Sequence, residues 1–163
     1  LLESLYFYNG FNFFYLIASR NKMVGTSDII RLINRDELSH VVLFRSIVKE
    51  IKNDYPEFFS TETIYSMFNT AVEQEISWTE HIIGNRVLGI TSQTTEGYTK
   101  WLANERLKSL GLEPLYSGFT KNPYKHLERF ADTEGEGNVK SNFFEGTVTS
   151  YNMSSSIDGW EDF

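Results

Sequence analysis

A long amphipathic segment with two ionisable residues in its apolar stripe places the strongest constraint on how this chain can fold. Between residues 28 and 53, one set of positions recurs every three to four residues, which is the period of one helix face. This stripe consists of Ile29, Ile33, Glu37, His40, Phe44, Ile47 and Ile51. A carboxylate and an imidazole therefore stand where a core-facing helix ordinarily carries apolar side chains.

Glu37 and His40 need a partner that satisfies both side chains, because burying an unpaired carboxylate is strongly unfavourable. Residues three apart lie on the same helix face. A divalent metal satisfies both groups, and Glu-x-x-His is the spacing with which helix bundles present two ligands to a metal pair, together with a Glu from another helix. Glu3, which shares a stripe with Phe7 and Phe11, qualifies as that further ligand.

Surface interpretations of the same residues stay open at this point. Glu-x-x-His is common on solvated helix surfaces, Glu3 lies close to a chain end, and Arg35 with Asp36 forms an ordinary solvated pair in this interpretation. Glu75 also falls in an apolar stripe, but its acidic neighbours favour a solvated helix flank. We expect His81 and His126 to be structural or exposed.

Three further segments have helical periodicity, so we predict an all-α fold. Thr26 or Ser27 is the predicted N-cap of the second helix, and Gly111 is the predicted C-cap of the last. Gly10 interrupts the first helix at modest cost or marks close helix packing. The four predicted helices cover residues 1–20, 28–53, 60–84 and 95–110.

Charge and composition divide the chain at residue 117 and exclude several classes of protein. Residues 1–116 carry the helices, whereas residues 117–163 have little periodicity and predict a flexible acidic tail with aromatic residues for docking. The net charge of −7 includes no basic stripe, which argues against nucleic-acid binding. No apolar run is long enough to cross a membrane. The absence of Cys favours a reducing, cytoplasmic location.

The motifs around these residues resemble the C-terminal half of the small, radical-generating subunit of ribonucleotide reductase. The resemblance rests on Glu3 followed by FYNGF, on IIRLINRDELSH and on EQEISW, and it covers essentially the whole chain. It implies the C-terminal half of a ferritin-like di-metal helical bundle with a flexible tail. The metals would be two irons, manganese with iron, or two manganese ions.

The resemblance also implies a role for each site residue. The metal ligands would be Glu3, Glu37 and His40. The apolar pocket around the radical site would be formed by Phe7, Phe11 and Ile33. Asp36 would hold a metal-ligating histidine, Tyr151 would be a redox relay and Glu145 its proton partner. The terminal IDGWEDF would bind the large subunit.

The family pattern requires ligands that this sequence does not contain. Six protein ligands are expected and three are found, so the others and the radical tyrosine should come from an N-terminal half outside this chain. We expect the chain alone to be inactive and to bury its apolar stripes poorly. It is interpreted as a fragment, the product of a split gene or an artificially shortened chain.

The leading hypothesis is a ribonucleoside-diphosphate reductase small subunit that supplies a di-metal and tyrosyl radical for deoxyribonucleotide synthesis. We expect the complete subunit to be a homodimer that works with the large subunit. The alternatives are another di-metal carboxylate protein, an oxidase or an iron-storage bundle, and a metal-free remnant that only binds the large subunit.

Overall fold

The computed structural model describes residues 1–131, and every regular element in this range is helical, which confirms the all-α prediction. Single 3-10 turns lie at Leu2–Ser4, Pro56–Phe58 and Lys125–Leu127. The α-helices are α1 (Tyr8–Ala18), α2 (Val24–Asp54), α3 (Thr61–Ile82), α4 (Ser92–Ser109) and α5 (Glu128–Ala131). The four predicted helices correspond to α1 to α4.

The helix ends follow local sequence signals, with one exception. Ser60 and Thr91 cap α3 and α4 by accepting from the backbone N–H three residues on. Gly111 has a φ of +73°, which suits a residue that ends a helix. The predicted N-cap of α2 at Thr26 or Ser27 is wrong. The helix begins at Val24, after a left-handed Met23 whose carbonyl accepts from the Ser27 N–H.

The core lies where α1 crosses the pair formed by α3 and α4. Helices α3 and α4 pack along each other, and α1 contacts both of them as well as α2. Large side chains from each helix interlock there, among them Tyr15 from α1, Phe68 from α3 and Leu107 from α4. This arrangement fixes α1, and therefore the 3-10 turn before it, against a rigid pair of helices.

The segment after α4 also packs against the helices. Asn104 of α4 donates to the carbonyl oxygens of Tyr116 and Phe119 and accepts from the Tyr116 N–H, so this one side chain fixes the loop. Further on, Tyr124 and Leu127 are buried in the core. The boundary predicted at residue 116 falls inside this packed region. We therefore keep the tail proposal only for residues 132–163.

The apolar face of α1 is arranged differently from the prediction. The buried face of α1 carries Tyr8, Phe11 and Tyr15, whereas Phe7 of the predicted stripe is exposed. The backbone departs from helical geometry at Leu5, which breaks the predicted continuous helix over residues 1–20. Gly10 does not mark close helix packing, because a Cβ at this position would meet no atom of another helix within 4 Å.

The apolar stripe of α2 is largely uncovered by residues 1–131. Its exposed members are Ile29, Ile33, Phe44, Ile47 and Ile51, joined by the neighbouring Val42 and Leu43. The prediction that this stripe faces a core is therefore not met within the described residues, whereas the expected poor burial of apolar stripes is observed. No helix between residues 1 and 131 has the length and apolar character needed to cross a membrane.

Candidate metal centre

Glu3 lies on the 3-10 turn Leu2–Ser4, which we call the Glu3 turn. The Ser4 and Leu5 N–H groups both donate to the Leu1 carbonyl, which closes the turn. Its N-cap provides no side-chain hydrogen bond and none of its three residues is buried. Because an isolated 3-10 turn is only marginally stable, contacts with the rest of the fold must hold Glu3 in place.

Helix α2 presents Glu37 and His40 toward this turn. The i, i+3 spacing places both side chains on one face of the helix, and the His40 Nδ1 lies 3.2 Å from the Glu37 Oε2. The same nitrogen lies 3.2 Å from the Glu3 Oε2. Two carboxylates and an imidazole from separate elements therefore converge, as the ligand prediction requires.

The donor set fits a divalent metal. One ligand atom from each of Glu3, Glu37 and His40 lies within 4.8 Å of the others, a spacing that one ion or a shared pair can bridge. Oxygen and imidazole nitrogen donors suit iron and manganese. The side chains are 31%, 18% and 50% exposed, respectively. The cluster therefore opens on the same side of α2 as the uncovered apolar stripe, and only Glu37 is largely shielded.

The three predicted pocket residues are not all buried. Phe11 is in the core, whereas Phe7 and Ile33 are partly open to solvent. The ring centroids of Phe7 and Phe11 are 6.2 Å apart. The role of these three residues as a pocket around the radical site stays a prediction.

Asp36 contacts Arg35 and not His40. The Arg35 Nη2 lies 3.3 Å from the Asp36 Oδ1, and both side chains are exposed. If Asp36 holds a ligating imidazole, that imidazole comes from outside the described residues. Glu145 and Tyr151, the predicted proton partner and relay, also lie outside the range that the structure describes.

Sequence reasoning misjudged Glu75, which is 2% exposed and lies in the core rather than on a solvated flank. The Asn9 Nδ2 donates to the Glu75 Oε1 at 3.1 Å. Burial raises the pKa of Glu75 to about 7. Its place in an apolar stripe was the available signal. His81 and His126 are exposed, as expected.

Comparison with known proteins gives consistent matches. The family described as ribonucleotide reductase, small chain, matches residues 1–123. The chain is 37% identical over 160 residues to ribonucleoside-diphosphate reductase subunit beta of Treponema pallidum, covering 96% of this chain and 45% of that protein. It is 38% identical over 165 residues to the subunit beta of Halalkalibacterium halodurans, covering 99% and 47%. The chain spans about half the length of these curated relatives.

Solved structures agree with the sequence matches. An R2 subunit of ribonucleotide reductase from Clostridium botulinum superposes with a TM-score of 0.76 at 42% identity, covering 80% of this chain and 42% of that one. A putative class I ribonucleotide reductase from Bacillus halodurans gives 0.75 at 40% identity, covering 79% and 47%. The expected ferritin-like helical fold is thus confirmed for this part of the bundle.

Proposed function

The chain belongs to the ribonucleotide reductase small-chain family, and on this premise we propose that it forms the C-terminal half of a radical-generating small subunit. In this proposal the complete subunit supplies a tyrosyl radical to a large subunit, which reduces ribonucleoside diphosphates to deoxyribonucleotides. The observation that carries the proposal is the convergence of Glu3, Glu37 and His40 from two separate elements.

The family implies a dimetal centre, and we propose that these three residues hold this chain's share of it. The carboxylates of Glu3 and Glu37 neutralise cationic charge, and the His40 imidazole adds a neutral nitrogen donor. When bound, the metal pair supplies the oxidising power for forming the radical. We propose two irons, with manganese and iron or two manganese ions as the alternatives. The remaining ligands and the radical tyrosine would come from outside this chain.

Phe7, Phe11 and Ile33 would shield the radical site from water. Their side chains have no proton to give to a radical and no polar atom that would hold a water molecule beside it. Phe11 is already buried. We propose that Phe7 and Ile33 become covered when the N-terminal half packs against α2, which also buries the apolar stripe and stabilises the bundle.

Three polar residues would connect the site to the large subunit. A carboxylate that accepts the second ring N–H of a ligating imidazole fixes its tautomer and orientation, and this is the role proposed for Asp36. Tyr151 would act as the relay, because a phenol can lose an electron and a proton together without leaving a buried charge. Glu145 would take up that proton.

The C-terminal residues 132–163 would dock onto the large subunit. They combine acidic residues with aromatic anchors, including the final IDGWEDF. A segment of this composition binds a groove reversibly, because ordering it on docking costs entropy. We further propose that the complete subunit forms a homodimer in the cytoplasm and binds neither nucleic acid nor membrane.

The other interpretations have less support. An oxidase or iron-storage bundle needs neither Tyr151 nor the aromatic acidic end, and the relatives compared above are named as reductase subunits. A metal-free remnant that only binds the large subunit would not need the three converging ligands.

The test uses the complete subunit, by which we mean this chain joined to the N-terminal part that its relatives possess. With the large subunit and a reductant, it should convert ribonucleoside diphosphates to deoxyribonucleoside diphosphates and should contain a pair of metal ions. This chain alone should do neither. A complete subunit that binds the large subunit but holds no metal would support the remnant instead.

A further inference from the structure

Arg106 of α4 reaches the turn that carries Glu3. Its Nε donates to the Ser4 carbonyl oxygen at 3.1 Å, across 102 residues of sequence. Ser4 directly follows Glu3, so the hydrogen bond acts on the backbone beside the candidate ligand. A hydrogen bond from a guanidinium is charge-assisted and stronger than one between neutral groups.

Tyr8 supports the guanidinium from the other side. The Arg106 Cζ lies 5.1 Å from the centroid of the Tyr8 ring, which is within the range of a cation–π contact. Burial raises the pKa of the Tyr8 phenol, so the ring stays neutral at physiological pH. Tyr8 begins α1 and Ser4 ends the Glu3 turn. Arg106 therefore joins both sides of the break at Leu5 to the rigid α3–α4 pair.

Arg106 holds the Glu3 turn on the α4 side, and α2 contacts the turn on another side. A cavity of about 480 Å³ opens beside it between α2, α3 and α4, and Glu3 and Arg106 both line this cavity. Its other walls are mainly apolar, and the turn packs against α2 as well. Leu5 anchors the far end of the turn in the core. The Glu3 carboxylate meets His40 of α2, and the Arg106 hydrogen bond ties the backbone beside Glu3 to α4.

We propose that Arg106 is a positioning residue for the candidate metal centre: it holds the Glu3 turn so that the Glu3 carboxylate meets Glu37 and His40. This inference rests on the proposed function, because it requires those three residues to be ligands. Groups that orient metal ligands typically change metal affinity by about tenfold to a hundredfold when they are replaced. Arg106 should behave in this way without touching the metal.

The experiment measures the affinity of the complete subunit for Mn²⁺ alone, by counting free and bound ion with electron paramagnetic resonance. Arg106→Leu should weaken binding by about tenfold to a hundredfold and change the spectrum of the bound ion. Arg106→Lys should lose less affinity, because an ammonium can still donate to the Ser4 carbonyl but lacks the planar guanidinium. If the leucine variant does not fold, the Mn²⁺ affinity of the lysine variant still tests the inference, because it should lie below that of the wild type.

Arg86→Leu is the matched control. The Arg86 guanidinium also donates to backbone carbonyls, those of His81, Ile82 and Ile83 at the end of α3. Its loss should reduce thermal stability and leave both the Mn²⁺ affinity and the spectrum unchanged. If Arg106 has a purely structural role, Arg106→Leu should, like Arg86→Leu, lose thermal stability but keep its Mn²⁺ affinity and spectrum. That result would overturn the inference.

Glu37→Ala separates failure of the inference from failure of the proposed function. If Glu37→Ala abolishes Mn²⁺ binding while Arg106→Leu and Arg106→Lys bind as the wild type does, the metal centre stands and the positioning role is wrong. If Glu37→Ala also binds Mn²⁺ as tightly as the wild type, both the proposed metal centre and the positioning role of Arg106 are wrong.

Discussion

Asn9 on α1 and Glu75 on α3 are hydrogen-bonded in the core, with 3.1 Å between the Asn9 Nδ2 and the Glu75 Oε1. The same Asn9 amide nitrogen lies 2.9 Å from the Thr99 Oγ1 on α4. One amide therefore joins three helices, including the one that follows the Glu3 turn. Burial raises the pKa of the Glu75 carboxyl from 4.5 to about 7, partly offset by its hydrogen bond with Asn9.

Glu75→Gln should remove a pH dependence of stability from the metal-free complete subunit. Between pH 4.5 and about 7, the folded state keeps a proton on Glu75 that the unfolded chain has released. The free energy of unfolding therefore falls as pH rises through this window, by up to about 3 kcal/mol. Gln is neutral throughout and its oxygen can still accept from Asn9. The variant should match the wild type near pH 4.5 and exceed it at pH 8.

Urea unfolding of both proteins at about pH 5 and pH 8 measures this difference. Glu73→Gln, at an exposed position on the same helix, is the control and should follow the wild type. If the free energy of unfolding changes equally with pH in Glu75→Gln and in the wild type, Glu75 does not hold its proton in the folded state.

Asn104→Ala should destabilise the fold by about 2–3 kcal/mol, because it leaves backbone groups of the following loop without their partner. Asn104 donates to the Tyr116 and Phe119 carbonyls at 2.8 and 3.1 Å and accepts from the Tyr116 N–H at 3.0 Å. Urea unfolding checks the value. Asn53→Ala, at an exposed position near the end of α2, should stay within about 0.5 kcal/mol of the wild type. Equal effects of the two substitutions would mean that the loop is held in another way.

The uncovered face of α2 should make the isolated chain self-associate. Leu43 and Phe44 are exposed apolar residues on this helix, and a large contiguous apolar surface in water favours association. Phe44→Lys should weaken self-association by about tenfold to a hundredfold, since burying one large apolar side chain contributes about 1.5–3 kcal/mol and about 1.4 kcal/mol is tenfold in affinity. Sedimentation equilibrium measures the change. Phe58→Lys, which alters an exposed phenylalanine on the turn Pro56–Phe58, is the control and should have little effect.

Tyr151→Phe should stop turnover with the large subunit while the complete subunit keeps its metals and its stored radical. Phenylalanine has no phenolic proton and cannot serve as the relay. Metal analysis, the radical spectrum and an assay of deoxyribonucleotide formation separate these properties. Tyr55→Phe, on the described part of the chain, should leave all three unchanged. Turnover by Tyr151→Phe at the wild-type rate would remove Tyr151 from the pathway.

Periodicity and end signals predicted the helices well where the local sequence decides the structure. Ser60 and Gly111 mark the ends of α3 and α4 because capping depends on a few neighbouring residues. The start of α2 could not be found in this way. The chain reverses through left-handed Asn21 and Met23. Asn commonly adopts this conformation, but Met rarely does, so no local signal marks Met23 as the residue before the helix.

The convergence of Glu37 and His40 with Glu3 could be anticipated because both residues interrupt an apolar stripe, whereas their role as metal ligands stays a prediction. Residues that act across the fold were not predictable. Arg106 contacts Ser4 over 102 positions, and no local pattern encodes such a pair. Glu75 lay in an apolar stripe, but only the packing of α1 on α3 shows that this position is buried and bonded to Asn9.

Metal content of the complete subunit tests the central claim most directly. Wild-type protein loaded with Fe²⁺ should hold a pair of metal ions, and both Glu37→Ala and His40→Ala should lose metal. The matched controls Glu73→Ala and His81→Ala alter exposed residues of the same types on α3 and should keep it. A Glu37→Ala protein with the full wild-type metal content would contradict the account, because Glu37 would then be an ordinary surface carboxylate beside His40.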